Sequence, residues 1–478
     1  MGSTAIRFAV RWDFVADYSS LVNVEDLEWQ VDRRGGVPSR IVDEMLEHGA
    51  LEPLVEAAEV RRDWFCAQGA VRGLCAVGEF ERAWKVIEPF ASTGWQPAVR
   101  VGADVLLRRG RTAQALELAR PTNTETGTPD AWEDYAEVLV RVGRVDEAID
   151  VLTPHLRKGL LGSLVKLTEG QDRDERVLEL LAPIAASFRC HPDAEWGRGL
   201  WDVLPAQAHV LDRSGRTDEA ITLLGADVAA RRYGPQNTVD FYTELLTRRG
   251  RIKELRELAT GTQQSTAARP YVTALESLGL AGEAEAYLRG LIQTTEYPSR
   301  YENELLELLI RQGRLDDAVQ AVEHTFDDLY EGNLLQATMI LLAEQGHHDK
   351  ALQLTEGRSP EFLAENEAFW LRSSRWWLMG ESGRCQEAIA EMERLPRDEV
   401  DNRETTIAWL LAQDGRVAEA IARLRPLPGK RAATDLAKLL IRQHRYAEAI
   451  AVIPDVAAQR DEERRFWTDR EAQAGRRR

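Results

Sequence analysis

Val140–Leu152 reads VRVGRVDEAIDVL, and the same sentence is rewritten along the chain. Its glycine, Gly143, is followed five residues later by Ala148. The pair recurs as Gly78/Ala83, Gly110/Ala115, Gly215/Ala220, Gly279/Ala284, Gly313/Ala318, Gly346/Ala351, Gly383/Ala388 and Gly415/Ala420, and His444/Ala449 keeps the alanine where the glycine is lost. Gly250, followed by Leu255, and Gly170, followed by Glu175, complete a series whose steps run from 27 to 45 residues. Gly49, 29 residues before Gly78, fits a degenerate opening repeat. Self-similarity at such a period marks a solenoid, in which each unit buries its apolar face against its neighbours. It describes an architecture suited to binding and leaves open what is bound.

Offsets from the anchor predict a helical hairpin. Thirteen residues before it stand Asp130, Asp202, Asn237, Thr266, Asn333 and Asn402, residue types that cap a helix start. Four before it stand Leu74, Leu106, Leu139, Leu211, Leu246, Leu275, Leu309, Leu342, Leu411 and Leu440, with Met379 as the exception, and these read as core. The glycine supplies the left-handed conformation that ends the first helix, and the arginine that often follows it (Arg111, Arg144, Arg216, Arg251, Arg314, Arg384, Arg416) is expected to meet the free carbonyls. The second helix carries the small alanine, an aliphatic residue beside it and, in several repeats, a leucine at plus nine, one stripe at helical spacing. Prolines at plus eleven (Pro89, Pro121, Pro154, Pro426) are expected to kink or shorten it.

From about Arg62 to Ala457 these residues resemble the tetratricopeptide repeat family, whose turn glycine, following alanine and roughly 34-residue hairpin they reproduce. The resemblance implies an all-α, right-handed α-solenoid of about eleven or twelve hairpins whose first helices line a ligand groove. It is nearly silent on function, because the family serves many unrelated partners. The chain departs from the family pattern in matching its early tryptophan only at Trp132 and in placing prolines early rather than late. Residues 1–38 fall outside the repeat; Ile6, Phe8, Val10, Trp12 and Phe14 alternate like a short strand. Helical repeats are then expected over 39–184, a long loop or seam over 185–200, further repeats over 201–457, and a charged capping helix with a basic tail over 458–478.

A net charge of -18 and a pI near 5.1 favour solubility and argue against a duplex nucleic-acid surface. The expectation is a protein or peptide partner, no nucleic acid and no membrane. The N-terminus has no apolar signal-peptide core, and no run of 18 apolar residues occurs. Cys66, Cys75, Cys190 and Cys385 make no CxxC pair, which fits a reducing cytoplasm better than a disulfide framework or structural zinc.

Catalytic constellations are scarce: there is no phosphate-cradling glycine loop, nucleophile elbow or HExxH. The acids Asp327, Asp328 and Glu331 of DDLYE could hold a metal but read equally as an acidic loop without a facing second motif. His347 and His348 are adjacent in a turn, and Cys190 and His191 are adjacent in the long loop; adjacency supplies no convergence. The expectation is no cofactor and no catalysis. Six residues before the anchor, a groove-lining offset in the family it resembles, polar residues give way to Ile340, Trp377 and Trp409 in three consecutive hairpins. These form either an apolar strip in the groove or, if the first helices are turned, part of the inter-repeat core. Two residues before the anchor recur Arg108, Arg141, Arg213, Arg248, Arg311 and Arg442. They suit the helix dipole whatever the function, and Arg213, Arg248 and Arg311 could also clamp carboxylates or phosphates of a partner. The reading is a scaffold or adaptor. The alternatives are a peptide-sensing regulator, for which residues 1–60 are short and not basic, and an all-helical metal-dependent enzyme using the DDLYE acids.

Overall fold

The anchors do end helices. In the computed structural model φ is +79° at Gly143 and between +64° and +82° at the other glycine anchors from Gly49 to Gly415. His444 adopts the same left-handed conformation, at +59°. The N–H after the anchor donates to the carbonyl of the leucine four residues before it, at 2.9 Å from Arg144 to Leu139 and 2.8 Å from Arg216 to Leu211, satisfying a helix-end carbonyl. An added Cβ at Gly143 would meet nothing within 4 Å, so Gly143→Ala tests backbone conformation alone. It is expected to destabilise by about 1 to 2 kcal/mol, read from chemical denaturation.

The structure describes residues 22–121, 128–190, 202–230, 236–296, 298–323, 332–355, 369–396 and 402–476, and among them the regular elements are helices. They form two compact units, one drawn from Met1–Gly127 with Asn402–Arg478, the other from Thr128–Asp401. In the first, helix Val24–Asp32 precedes hairpins Ser39–Glu47/Leu51–Arg61, Trp64–Ala76/Phe80–Ala91 and Gln96–Arg108/Thr112–Ala119; the chain returns with Arg403–Gln413/Val417–Leu424, Lys430–Arg442/Tyr446–Ala451 and the terminal helix Val456–Arg476. The second unit stacks Pro129–Arg141/Val145–Leu152, Leu161–Leu167/Asp174–Cys190, Val203–Arg213/Thr217–Ala230, Gln236–Arg248/Ile252–Thr260, Gln264–Ser277/Ala281–Thr294, Ser299–Arg311/Leu315–Glu323, Gly332–Glu344/His348–Gln353 and Phe369–Glu381/Cys385–Arg394.

The core is the one the offsets predict. The alanine five after the anchor is buried in every hairpin that has it, from Ala83 to Ala449, and so is each leucine four before it, with Met379 in the same place. Small residues set the helix approach: a Cβ on Gly69 would lie 2.1 Å from Val42 Cγ1, and one on Gly102 2.9 Å from Ala91 Cβ.

Several expectations are corrected. The polar residues thirteen before the anchor do not cap with their side chains: Asp130, Asn237 and Thr266 lie within the first turn, and Asp202 and Asn402 take the cap position without a cap bond. Asn237 Nδ2 instead donates to Asp202 Oδ1 at 2.5 Å, tying successive first helices together. The arginine after the anchor reaches forward rather than back. It precedes the second helix and pairs with the acid three residues on, as in Arg216–Glu219 at 2.7 Å and Arg416–Glu419 at 2.8 Å, because the first turn of that helix favours an acid. Helix Asp174–Cys190 runs through the start of the expected 185–200 loop, its apolar face carrying buried Val177, Leu181, Ala185 and Phe188. Within 1–38, Val24–Asp32 is helical: Asn23 Oδ1 accepts the Glu25 N–H at 3.0 Å, and Leu27 and Gln30 are buried. The suggested strand at Ile6–Phe14 lies outside the described residues.

The expectation that hairpins touch only sequence neighbours fails in the first unit. Helix Lys430–Arg442 packs on Ser39–Glu47 and Tyr446–Ala451 on Leu51–Arg61, so the last hairpin of the chain stacks on its first. Arg61 donates to the carbonyls of Ile450 and Ile453 at 2.7 and 2.6 Å. The terminal helix, expected to cover a free apolar end, packs against the opening segment: Trp29 Nε1 donates to Glu463 Oε2 at 2.9 Å.

Candidate partner-binding face

The first helices of the second unit carry the residues singled out in the sequence. Arg248, two before its anchor, donates to Asp212 Oδ2 at 2.7 Å; Arg311, at the same offset, donates to Glu276 Oε2 at 2.8 Å. In both pairs the acid stands three before the anchor of the preceding hairpin, so each pair bridges two repeats. The acid is the deeper partner, Asp212 being 17% exposed beneath an Arg248 that is 50% exposed. Burial works to raise the Asp212 carboxyl, but hydrogen bonds from Arg248 and Thr217 outweigh it and hold the group below the usual carboxylate range. The carboxylates therefore fix the arginines from below, Arg311 being held by Glu307 as well, and both guanidinium groups stay partly exposed.

Arg213 differs. It donates to Asp174 Oδ1 at 2.6 Å and to Thr168 Oγ1 at 3.0 Å, and its side chain is only 16% exposed. It braces the hairpin around Gly170 beside a surface recess of about 670 Å³ lined by Glu169, Asp172, Arg173 and Arg176. There Arg173 and Arg176 both engage Asp146.

The offset six before the anchor is polar in the hairpins of Gly143, Gly215, Gly250, Gly279 and Gly313, and several of these residues are internally paired. Glu307 accepts from Arg269 at 2.8 Å and from Arg311 at 3.2 Å, and the His209 ring stacks on Phe241 with centroids 3.6 Å apart. Glu304, beside Arg269, is pushed above the usual carboxylate range by burial. At the same offset in the next two hairpins, Ile340 is 44% and Trp377 41% exposed. Trp376 is buried, and Arg375 pins the Trp377 helix through Glu391 Oε1 at 3.0 Å and Thr355 Oγ1 at 2.9 Å. The His348 ring meets Trp377 edge-on at 6.5 Å. Ile340 and Trp377 therefore stand at the surface rather than in the inter-repeat core. Trp409 is half-buried and belongs to the other unit.

The DDLYE acids Asp327, Asp328 and Glu331 lie outside the described residues, as do His191 and the Cys190 side chain. Among the described residues no group of three His, Cys, Asp or Glu side chains converges on a metal-sized site, and no helix is long and apolar enough to cross a membrane.

Residues 101–121, covering most of Gln96–Arg108/Thr112–Ala119, match the sequence profile of the tetratricopeptide repeat. One hairpin thus carries the tetratricopeptide signature in a chain that folds as an array of helical hairpins. Solved helical-repeat structures resemble it in fold. A structure of Naa15/Naa10 bound to HypK-THB is 14% identical over 81% of this chain and 67% of that one, with a TM-score of 0.36. The yeast Tom70 crystal structure is 12% identical over 94% of this chain and 96% of that one, with a TM-score of 0.29. The maize pentatricopeptide repeat protein PPR10, in complex with an 18-nt psaJ RNA element, is 14% identical over 83% and 69%, also with a TM-score of 0.29. At these values the likeness is one of fold alone. No curated protein matches the sequence.

One expectation falls here. The exclusion of nucleic acid rested on net charge, yet a repeat protein of similar fold is described with RNA bound. A whole-chain charge does not decide partner class, because a partner meets the local field of one face. Tetratricopeptide-like folds are typical of interaction scaffolds and are generally non-catalytic.

Proposed function

We propose that this tetratricopeptide-like protein is a non-catalytic cytoplasmic scaffold. It holds a partner protein or peptide on the first-helix face of its second unit. An apolar side chain of the partner seats against Trp377 and Ile340, and an acidic group meets the guanidinium edges of Arg248 and Arg311. The observation that carries this reading is the exposure of Trp377 and Ile340 at an offset where preceding hairpins present internally paired polar groups. A large apolar ring held in water by a pinned helix is better explained by a partner than by the fold. Among the described residues Cys66, Cys75 and Cys385 form no disulfide, which fits a reducing compartment.

The test is the affinity of the partner copurified from the native host, measured for the wild type and for Trp377→Ala. Losing such an anchor is expected to weaken binding by about 2 kcal/mol, roughly 30-fold, with little change in melting temperature because the ring is not core. Added salt is expected to weaken wild-type binding, since exposed guanidinium contacts are screened. A partner held equally well by Trp377→Ala, or a variant that melts far earlier, would refute the reading.

A further inference from the structure

Among the described residues, the seam between the chain's two ends stands out by its buried hydrogen bonds from side chain to backbone. Helices Ser39–Glu47 and Lys430–Arg442 stack as neighbouring first helices do, but around them polar side chains grip backbone. Gln459 Oε1 accepts the Gly36 N–H at 3.1 Å while its Nε2 donates to the Gly36 carbonyl at 3.2 Å and to the Pro454 carbonyl at 2.7 Å. Asp63 Oδ2 accepts the Val37 N–H at 2.7 Å, and Gln30 Oε1 accepts the Trp64 N–H at 2.9 Å. Gln30, Asp63 and Gln459 are all buried. Gly36 has φ +66°, and a Cβ there would lie 2.4 Å from Asp63 Oδ2, so the loop fits this cluster only as glycine. At the rim, Arg460 pairs with Asp26, Arg33 with Glu463 at 3.5 Å, and Lys430 reaches the Arg34 carbonyl.

We infer that this seam is a latch: the opening segment 22–38 and the terminal helix Val456–Arg476 release together, parting the chain ends while the hairpins on either side stay folded. Water can replace each of these hydrogen bonds, so each contributes little net free energy, and the exposed rim pairs contribute less. In a nearest-neighbour array, opening one seam costs that seam alone. Among its described side chains the terminal helix is held by its first turns: Val456 and Gln459 are buried, whereas Phe466 is 58% and Trp467 46% exposed. Because Gln459 grips Gly36 of the opening segment and Pro454 beside its own helix at once, the two segments are expected to leave as one cooperative step.

Hydrogen exchange on the full chain, read by peptide mass spectrometry, tests this. Peptides spanning 30–38 and 456–463 are expected to exchange through one shared opening, faster than peptides spanning 203–248. Gln459→Ala, which removes the two-way grip on Gly36, is expected to speed both by about tenfold and leave 203–248 unchanged. Trp29→Phe removes the indole bond to Glu463 and part of the ring that packs over Gly35, leaves the Gln459 grip in place, and is expected to give a smaller increase in the same two regions; it serves if Gln459→Ala fails to fold. The latch is overturned if the two regions exchange at unrelated rates, or if they exchange only with the whole chain and every variant shifts all peptides alike.

Discussion

Trp64→Ala is expected to remove about 3 to 5 kcal/mol of stability, confined to the unit that joins the chain ends. Trp64 is 3% exposed, its ring edge-on to Trp95 at 4.8 Å and tilted against Phe90 at 6.0 Å. Truncation leaves a cavity where both rings now meet Trp64, and aromatic pairs of this geometry add to what area burial provides. The backbone is fixed too: Asp63 Oδ1 caps the helix by accepting the Cys66 N–H at 3.0 Å. A urea melt followed by exchange at 64–91 and at 203–248 is expected to show the first region unfolding at lower urea than in the wild type and the second unmoved. Equal displacement of both would mean that the two compact units melt as one.

The second large effect is expected for Leu211→Asp. Leu211 is buried, and its carbonyl accepts the Arg216 N–H that closes the turn at Gly215. A carboxylate there has no partner among the buried Ala220, Ile221 and Leu246 and must either stay charged in an apolar site or bind a proton, each costing several kcal/mol. Hairpins Val203–Arg213/Thr217–Ala230 and Gln236–Arg248/Ile252–Thr260 are expected to lose exchange protection first, with Phe369–Glu381 less affected. Uniform loss across all eight hairpins of the unit would contradict a nearest-neighbour array.

The repeats were legible because their determinants are local. A left-handed residue at a turn leaves a glycine, close helix approach leaves an alanine five residues on, and both recur at one spacing. Gly170 shows the limit: it keeps the turn, φ +68°, without the alanine, and the helix after it is the long Asp174–Cys190 that sequence reading broke at 185. Side-chain direction was less legible. The arginine after the anchor could serve the helix behind it or the one ahead, and composition cannot choose; the Glu or Asp three residues on, present beside Arg144, Arg216, Arg251, Arg314, Arg384 and Arg416, was the signal that could have decided it. Trp376 and Trp377 show the same difficulty, since one is core and the other exposed, and only their phase relative to Gly383 separates them. The contact of Gln459 with Gly36 left no trace, because residues 423 apart share no periodicity. A single glutamine in a charged helix reads as solvent-facing.

That long separation has a consequence for how the protein is made. The unit built from both ends cannot be completed when its first three hairpins emerge from the ribosome, because Arg61 must wait for Ile453, 392 residues later. At about 5 to 20 residues per second, nascent chain spends on the order of 20 to 80 seconds with the Gly36 loop and the outer face of Ser39–Glu47 uncovered. Throughout that interval the whole of Thr128–Asp401 is synthesised and can fold by local contacts. The uncovered edge is the surface most open to chaperones, or to the finished C-terminal hairpin of a neighbouring chain on the same message.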